Sequence, residues 1–325
     1  MIFVTQKKSV YVDSVAGSDA NDGLTATTPK ATCAAGMSVL ASSGRKTIRL
    51  KCGSFFREQI NLPAGKRLKN YGSGARPILD PRENITGPWT LYGVAYTYQQ
   101  TVNHALSSPS VHRVWEDGVR LKRVANVETV ETTPGSFYAA TPSGTTGAIY
   151  IHPNGDGDPN SNGKTYSYSY RMYGVDMGNG CLVDGISTGW NGGNDGSIRA
   201  LARNCVIRNC DAFDGAKHHV LISEGLCENV NAYDAETTAG VGSQIAFVAY
   251  NDFITGQSAG LAFKRCTVDY VVMSANTSIG FYGHGGIGLT KVLFEDCTVK
   301  NAGYAAFGQI NTENTIISRC VAVNC

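Results

Sequence analysis

The sequence predicts an all-β fold, a right-handed parallel β-helix in which the chain winds through stacked three-stranded coils. Three observations carry this. In the C-terminal half, Cys181, Cys205, Cys227, Cys266, Cys297 and Cys320 follow one another at spacings of 24, 22, 39, 31 and 23, a period near 23 stretched twice by insertions. Four residues after the cysteine stands Asn209, Asn231, Asn301 or Asn324, with only the Cys181 and Cys266 repeats lacking it. The surrounding segments, NCVIRNC, CENVNAY, RCTVDYV, DCTVKNA and RCVAVNC, alternate apolar or β-branched residues as short strands do.

A repeat of this length belongs either to a leucine-rich horseshoe or to a β-solenoid. The LxxLxL signature is missing, which leaves the solenoid. Equivalent positions of neighbouring coils then lie about 4.8 Å apart. An asparagine recurring at one turn can bond its neighbours above and below and satisfy backbone groups the turn leaves unpaired. A cysteine on the strand before it acts as a small hydrophobe in a stacked interior row.

Composition supports the reading. The 325 residues are 42% hydrophobic and 17% charged, enough apolar surface for a substantial core. Glycine, at 38 residues, exceeds the usual ~7% and favours many tight turns. The net charge of +2 offers no basic excess for nucleic acid, so no nucleic-acid partner is expected. No window approaches the ~18 apolar residues of a membrane span. MIFVTQKKSVYV lacks the basic-then-apolar order of a secretory signal. The ten cysteines lack CxxC zinc spacing and are spread over a chain that needs no staples, so no thiolate metal site is expected; Cys33 and Cys52, outside the ladder, are left as paired or free.

The elements follow in order. Residues 1–84 form a cap and the first coils: YVDSVAGSDANDG opens with a strand and a polar loop. PKATCAAGMSVLASSG has Pro29 near a helix start and Gly44 past its end, a helix suited to plug the end of a solenoid. TIRLKCGSFFREQINLPAGKRLKNYGSGARPILD supplies the first coil strands. Residues 85–175 leave the ladder; WTLYGVAYTY, VWEDGVRLKRV and AIYIHPNGDGDPNSNG predict a small antiparallel β insertion whose aromatic residues, Trp89 and Trp115 among them, either stack on sugar rings or form its own core. Residues 176–325 are the ladder coils. From Asn209 one coil reads as a strand at Ala212-Phe213, a turn at Asp214-Gly215, a strand from Lys217 to Ile222 and a turn at Ser223-Glu224-Gly225.

The YVDSVAGSDANDG opening, the TPKAT step and the CGSFFREQI and YGSGARPILD runs resemble pectate-lyase-like right-handed β-helix proteins, which include bacterial polysaccharide lyases and phage tailspike depolymerases. The resemblance covers the cap and, through the ladder, the C-terminal half. It implies a polysaccharide partner, a homotrimer, and a place on a virion tail or outside the cell. Fold alone does not assign chemistry.

Several motifs are discounted. Gly283-His284-Gly285-Gly286-Ile287-Gly288 matches GxGxxG, but a strand follows it where a dinucleotide site needs a helix, so it reads as an inserted turn. Asp156 to Asn160 begins like an EF-hand loop, yet Ser161 stands where glycine is required.

The densest polar constellation is Asp211, Asp214, Lys217, His218, His219 and Glu224, followed one coil later by Asp234, Glu236 and Gln244, with Tyr282 and His284 further on. Extra residues between Cys227 and Cys297 mark the neighbouring turns as a binding face. Asp211, Asp214, Asp234 and Glu236 suit a hydrolase, which needs two carboxylates across a glycosidic bond. Lys217 or His219 suits a lyase, which needs a base beside a uronate and a cation, such as calcium, to stabilise the intermediate. His218, Gln244, Tyr282 and His284 are candidates for substrate contact. With Val220 and Ile222 facing inward, alternation places His218 inside and Lys217 and His219 outside. The expected function is depolymerisation of a polysaccharide by elimination or hydrolysis in a tailspike-like protein. The alternatives are a secreted pectate-lyase-like enzyme and a non-catalytic, glycan-binding or structural solenoid. The final VAVNC lies on a ladder strand without a polar cap, which fits a missing C-terminal part or an oligomer covering that end.

Overall fold

The computed structural model describes residues 9–103, 113–140, 146–192, 196–215, 217–233, 244–250, 260–269, 278–284, 291–310 and 314–325. Three all-parallel sheets of nine, eight and seven strands run along the molecule among these residues. The coil from Cys205 shows the plan. Cys205–Arg208 lies in the first sheet, Asp211–Phe213 in the second and His218–Ile222 in the third, and the chain returns to Gly225–Glu228, paired in register with Cys205–Arg208. Parallel strands joined by such crossovers wind right-handed.

The first-to-second corner is the most regular feature. In the six coils from Leu182–Asp184 onward it takes two residues, Gly185-Ile186, Asn209-Cys210, Asn229-Val230, Arg265-Cys266, Asp296-Cys297 and Arg319-Cys320, whereas the first two coils cross at residues 52–54 and 72–77. The leading residue is left-handed in every case, with φ from 51 to 77°. That conformation favours Gly and Asn, so the Asp and Arg corners carry strain that the stacked strands hold in place. The second residue points into the core and is buried in all but the last corner.

This corner corrects the single cysteine row. Cys266, Cys297 and Cys320 share the corner with Cys210, whereas Cys205 opens a first-sheet strand and Cys227 lies mid-strand, opposite Ile207 and Phe263. The asparagine ladder breaks up likewise. Asn209 accepts from Asn229 at 2.8 Å within the corner. Asn231 instead begins a second-sheet strand and donates to Asp211 at 2.9 Å. Asn301 and Asn324 form a third, separate pair beyond the second sheet. Several interior positions accept a small apolar residue, so aligning on cysteine merged them. All ten cysteines are free thiols, eight of them buried. Beside them, Phe247, Phe281 and Phe307 stack from coil to coil at 4.7 and 5.3 Å.

The helix Cys33–Ser42 closes the N-terminal end, burying Cys33, Gly36 and Leu40. Its free amides are capped from two sides. Thr32 Oγ1 accepts from Ala35 N at 3.1 Å, and the Glu58 carboxylate accepts from Cys33 N and Ala34 N at 2.9 and 2.8 Å. A side chain at Gly36 would come within 2.5 Å of Val12, so glycine lets the helix lie flat on the first strands. No helix among the described residues is long and apolar enough to cross a membrane.

The β-rich insertion leaves the solenoid at a second-to-third corner, after Ile78–Leu79 and before Val175–Met177. It contains a four-stranded sheet that includes Arg82–Asn84, Val114–Glu116 and Tyr166–Ser169, and a five-stranded sheet that includes Tyr98–Asn103, Ser136–Ala139 and Thr146–His152. Trp89, Phe137, Ile149, Ile151, Tyr166 and Tyr168 pack in a core of its own.

Candidate functional site

From Ser187–Gly189 onward the second-sheet strands are three residues long, and the middle residues Thr188, Ala212, Ala232 and Val268 are buried. The residues on either side therefore face outward. One outward column reads Ser187, Asp211, Asn231; the other reads Gly189, Phe213, Tyr233. Over these columns lies a cleft of about 1000 Å³, walled by Gly74 to Arg76 on one side and by Trp115, Gly118 and Arg120 of the insertion on another.

Aromatic rings form its floor. Phe213 and Tyr233 stack at 5.5 Å, and Trp190 meets Phe213 edge-on at 4.6 Å. Gly189 is required beneath, since a side chain there would come within 2.5 Å of the Phe213 ring. Trp190 is held from behind by Arg82, whose guanidinium lies 3.9 Å from its ring centre and 4.9 Å from that of Trp115. Arg82 is fixed in turn by two-pronged bonds to the fully buried Asp80.

Two carboxylates line the same cleft. Asp211 accepts from Ser187 Oγ at 3.0 Å and Asn231 Nδ2 at 2.9 Å, and is paired with Arg76. Asp214, left-handed at φ 44°, is paired with Arg113 at 2.7 Å and Arg120 at 3.5 Å. Arg113 comes from the insertion, is fully buried, and also donates to the Gly215 carbonyl at 2.8 Å. Burial pushes its guanidinium down to about 10, which leaves it charged at neutral pH.

The other candidates are placed differently. Lys217 stands just before the third-sheet strand and is absent from the cleft wall. The two histidines are reversed from the alternation prediction. His218 pairs with Ile245, a member of the outer apolar cluster, whereas His219 falls level with Ala246, which belongs to the solenoid core. The pairing register skips this position in each of four coils, so His219 and Val220 both turn inward. Burial, with the Arg113 charge adding to it, lowers His219 to about 3. It is a neutral buried residue and not a surface base. Glu224 is also buried. Tyr282 lies on the outer face of the third sheet, packed with Leu221, Val248 and Ile279. His284 ends the same strand and Gln244 begins the strand before it. Asp234 and Glu236 lie outside the described residues.

Sequence reasoning missed Arg76, Phe213, Tyr233 and Trp190. One signal was available: Asp211-Ala212-Phe213-Asp214 is echoed 20 residues later by Asn231-Ala232-Tyr233-Asp234. Arg76, Ser187 and Asn231 engage both oxygens of Asp211, Arg113 and Arg120 engage Oδ1 of Asp214, and among the described residues no three His, Cys, Asp or Glu side chains converge to hold a metal ion.

No protein-family model and no curated protein matches the sequence. Solved structures do match the fold. The chain is similar to XylC in complex with xylose, with a TM-score of 0.58 at 12% identity, covering 94% of this chain and 69% of that one. It is also similar to a glycoside hydrolase, with a TM-score of 0.51 at 9% identity, covering 96% of each chain. By fold, the chain is a right-handed parallel β-helix.

Proposed function

We propose that the protein hydrolyses a polysaccharide in the cleft over the second sheet, with Asp211 and Asp214 as the carboxylates that carry the reaction. One observation supports this above the rest: both candidate hydrolase carboxylates of the described coil line an aromatic cleft, whereas Lys217 and His219, the candidate lyase bases, do not. The Trp190, Phe213 and Tyr233 rings suit the apolar faces of sugar rings. The likeness to XylC and to a glycoside hydrolase agrees with this reading. We place the protein where such polymers occur, on a virion tail or outside the cell, and retain a homotrimer as its assembly.

A second reading has its own support. Each carboxylate is already engaged by arginine, which suits recognition of a glycan without cleavage. The two are separated by incubating the protein with neutral and acidic polysaccharides while following reducing ends and the absorbance of an unsaturated uronate. The expected result is reducing ends without that absorbance, reduced about 10²- to 10⁴-fold in Asp211→Asn or Asp214→Asn. Absorbance would point to elimination. Retention of a glycan with no new ends would establish the binding reading.

A further inference from the structure

A second aromatic surface lies on the insertion, outside the cleft. In the five-stranded sheet, Tyr138, Tyr150, Gln99 and Thr90 are register partners across four strands and share one face. The opposite face carries Phe137, Ile149 and Ile151 and is buried in the insertion core. The short helix Val127–Glu131 covers one end of the outer face, where His152 Nδ1 meets the Val130 carbonyl at 3.0 Å. The tyrosines beyond it are half-buried.

The loop beside them adds two more. Tyr92 is 44% and Tyr96 41% exposed. Tyr92 sets its ring edge on Tyr150 at 4.8 Å, and Tyr96 stacks flat on His152 at 5.1 Å. The loop is fastened from below: the Glu131 carboxylate accepts from Ala95 N at 2.8 Å, Thr97 N at 2.9 Å and Thr97 Oγ1 at 2.5 Å. These exposed aromatics are thus fixed in advance, and little conformational freedom remains to be lost when something binds them. The central rows of this face, Tyr138, Tyr150, Gln99 and Thr90 followed by Ala148 and Thr101, carry no formal charge, and the charges of the face, Lys122 and the Asp156 carboxylate bonded to His152, lie at its helix-covered end. A surface of phenol rings, phenol hydroxyls and amides without charge is complementary to neutral sugar rings, which present apolar faces edged with hydroxyls.

We infer that Tyr92, Tyr96, Tyr138 and Tyr150 form a second binding site, for an uncharged stretch of polysaccharide, separate from the cleft. The inference rests on the glycan reading of the cleft and extends it: a polymer held at two places on one protein gains avidity without a new contact at the reacting bond.

The test is affinity electrophoresis of the full chain in gels containing xylan, galactomannan or mixed-linkage β-glucan, three neutral polymers. Wild type should be retarded in at least one gel. Tyr92→Ala and Tyr96→Ala, both on the exposed loop, should each weaken that retardation about three- to tenfold. Reducing-end release from short oligosaccharides of the same sugar should be unchanged by them. Tyr150→Phe, which keeps the ring, should bind nearly as wild type and serves as the folding control. Wild-type retardation in the two alanine variants would overturn the second site while leaving the cleft reading intact. Absence of retardation of the wild type in all three gels would also overturn it, and the cleft reading would still be decided by the reducing-end assay. Equal loss of retardation and of short-oligosaccharide cleavage would show one site and not two.

Discussion

Arg113 Nη1 lies 2.7 Å from Asp214 Oδ1, and this bond joins the insertion to the solenoid at the edge of the cleft. The arginine is fully buried and its partner nearly so, which makes the pair expensive to break from one side only. Arg113→Met should cost about 3–5 kcal/mol in urea unfolding, because the Gly215 carbonyl would lose this donor and Asp214 would keep only the longer contact to Arg120. Arg113→Lys should recover part of this, since a single ammonium does not reproduce the planar fork. Unfolding of the methionine variant at the wild-type midpoint would mean that the insertion is held by other contacts.

His219 should make stability depend on pH in the acid range. Its pKa is lowered from 6.5 to about 3, so the folded chain keeps the ring neutral while the unfolded chain protonates it. Above pH 6.5 both states are neutral and the group contributes no slope. Below it the unfolded state binds the extra proton, and stability falls by up to ~1.4 kcal/mol per pH unit until about pH 3. Urea titrations at pH 7 and pH 5 should show a smaller difference in His219→Leu than in wild type. Identical differences would place the acid sensitivity elsewhere.

The thiols should differ sharply in reactivity. Cys325 is exposed and Cys320 half-buried, whereas burial pushes Cys205 up to about 11 and Cys210 up to about 12. A thiol reagent applied to native protein should label Cys325 first and Cys320 slowly, and all ten only after denaturation. Early labelling of Cys227 or Cys266 would show the core opening at those coils.

Asn209 tests the corner. It combines a left-handed backbone at φ 53° with side-chain bonds to Asn229 at 2.8 Å and Asp184 at 2.9 Å. Asn209→Val should lose about 1–3 kcal/mol, and Asn209→Gly less, because glycine keeps the conformation and loses only the bonds. Equal losses would assign the whole effect to the hydrogen bonds.

The solenoid was legible because coil length is a one-dimensional property: corners and strands recur at nearly fixed intervals whatever residues fill them. The ladder identities were not, since Cys210, Val230 and Ile186 are interchangeable as small buried residues and an arginine such as Arg265 gives no sign of a left-handed backbone. Asp211 and Asp214 were legible as carboxylates bracketing a short strand. Their partners were hidden, because Arg76 and Arg113 lie more than 100 residues away along the chain. His218 and His219 were exchanged because strict alternation fails where every coil skips one pairing at the same level.

The two-residue corner of the ladder coils also makes this protein extensible. From Cys205 to Gly225 the chain makes one full circuit in 20 residues and returns in register with itself. Such a segment is a cassette: copied in tandem, it would raise the column by one strand spacing, about 4.8 Å, without changing the direction of any strand. Length along the axis and variety around the rim are therefore inherited separately. One edge serves as a ruler, and the other two corners are free to carry whatever loops or whole sheets a glycan demands.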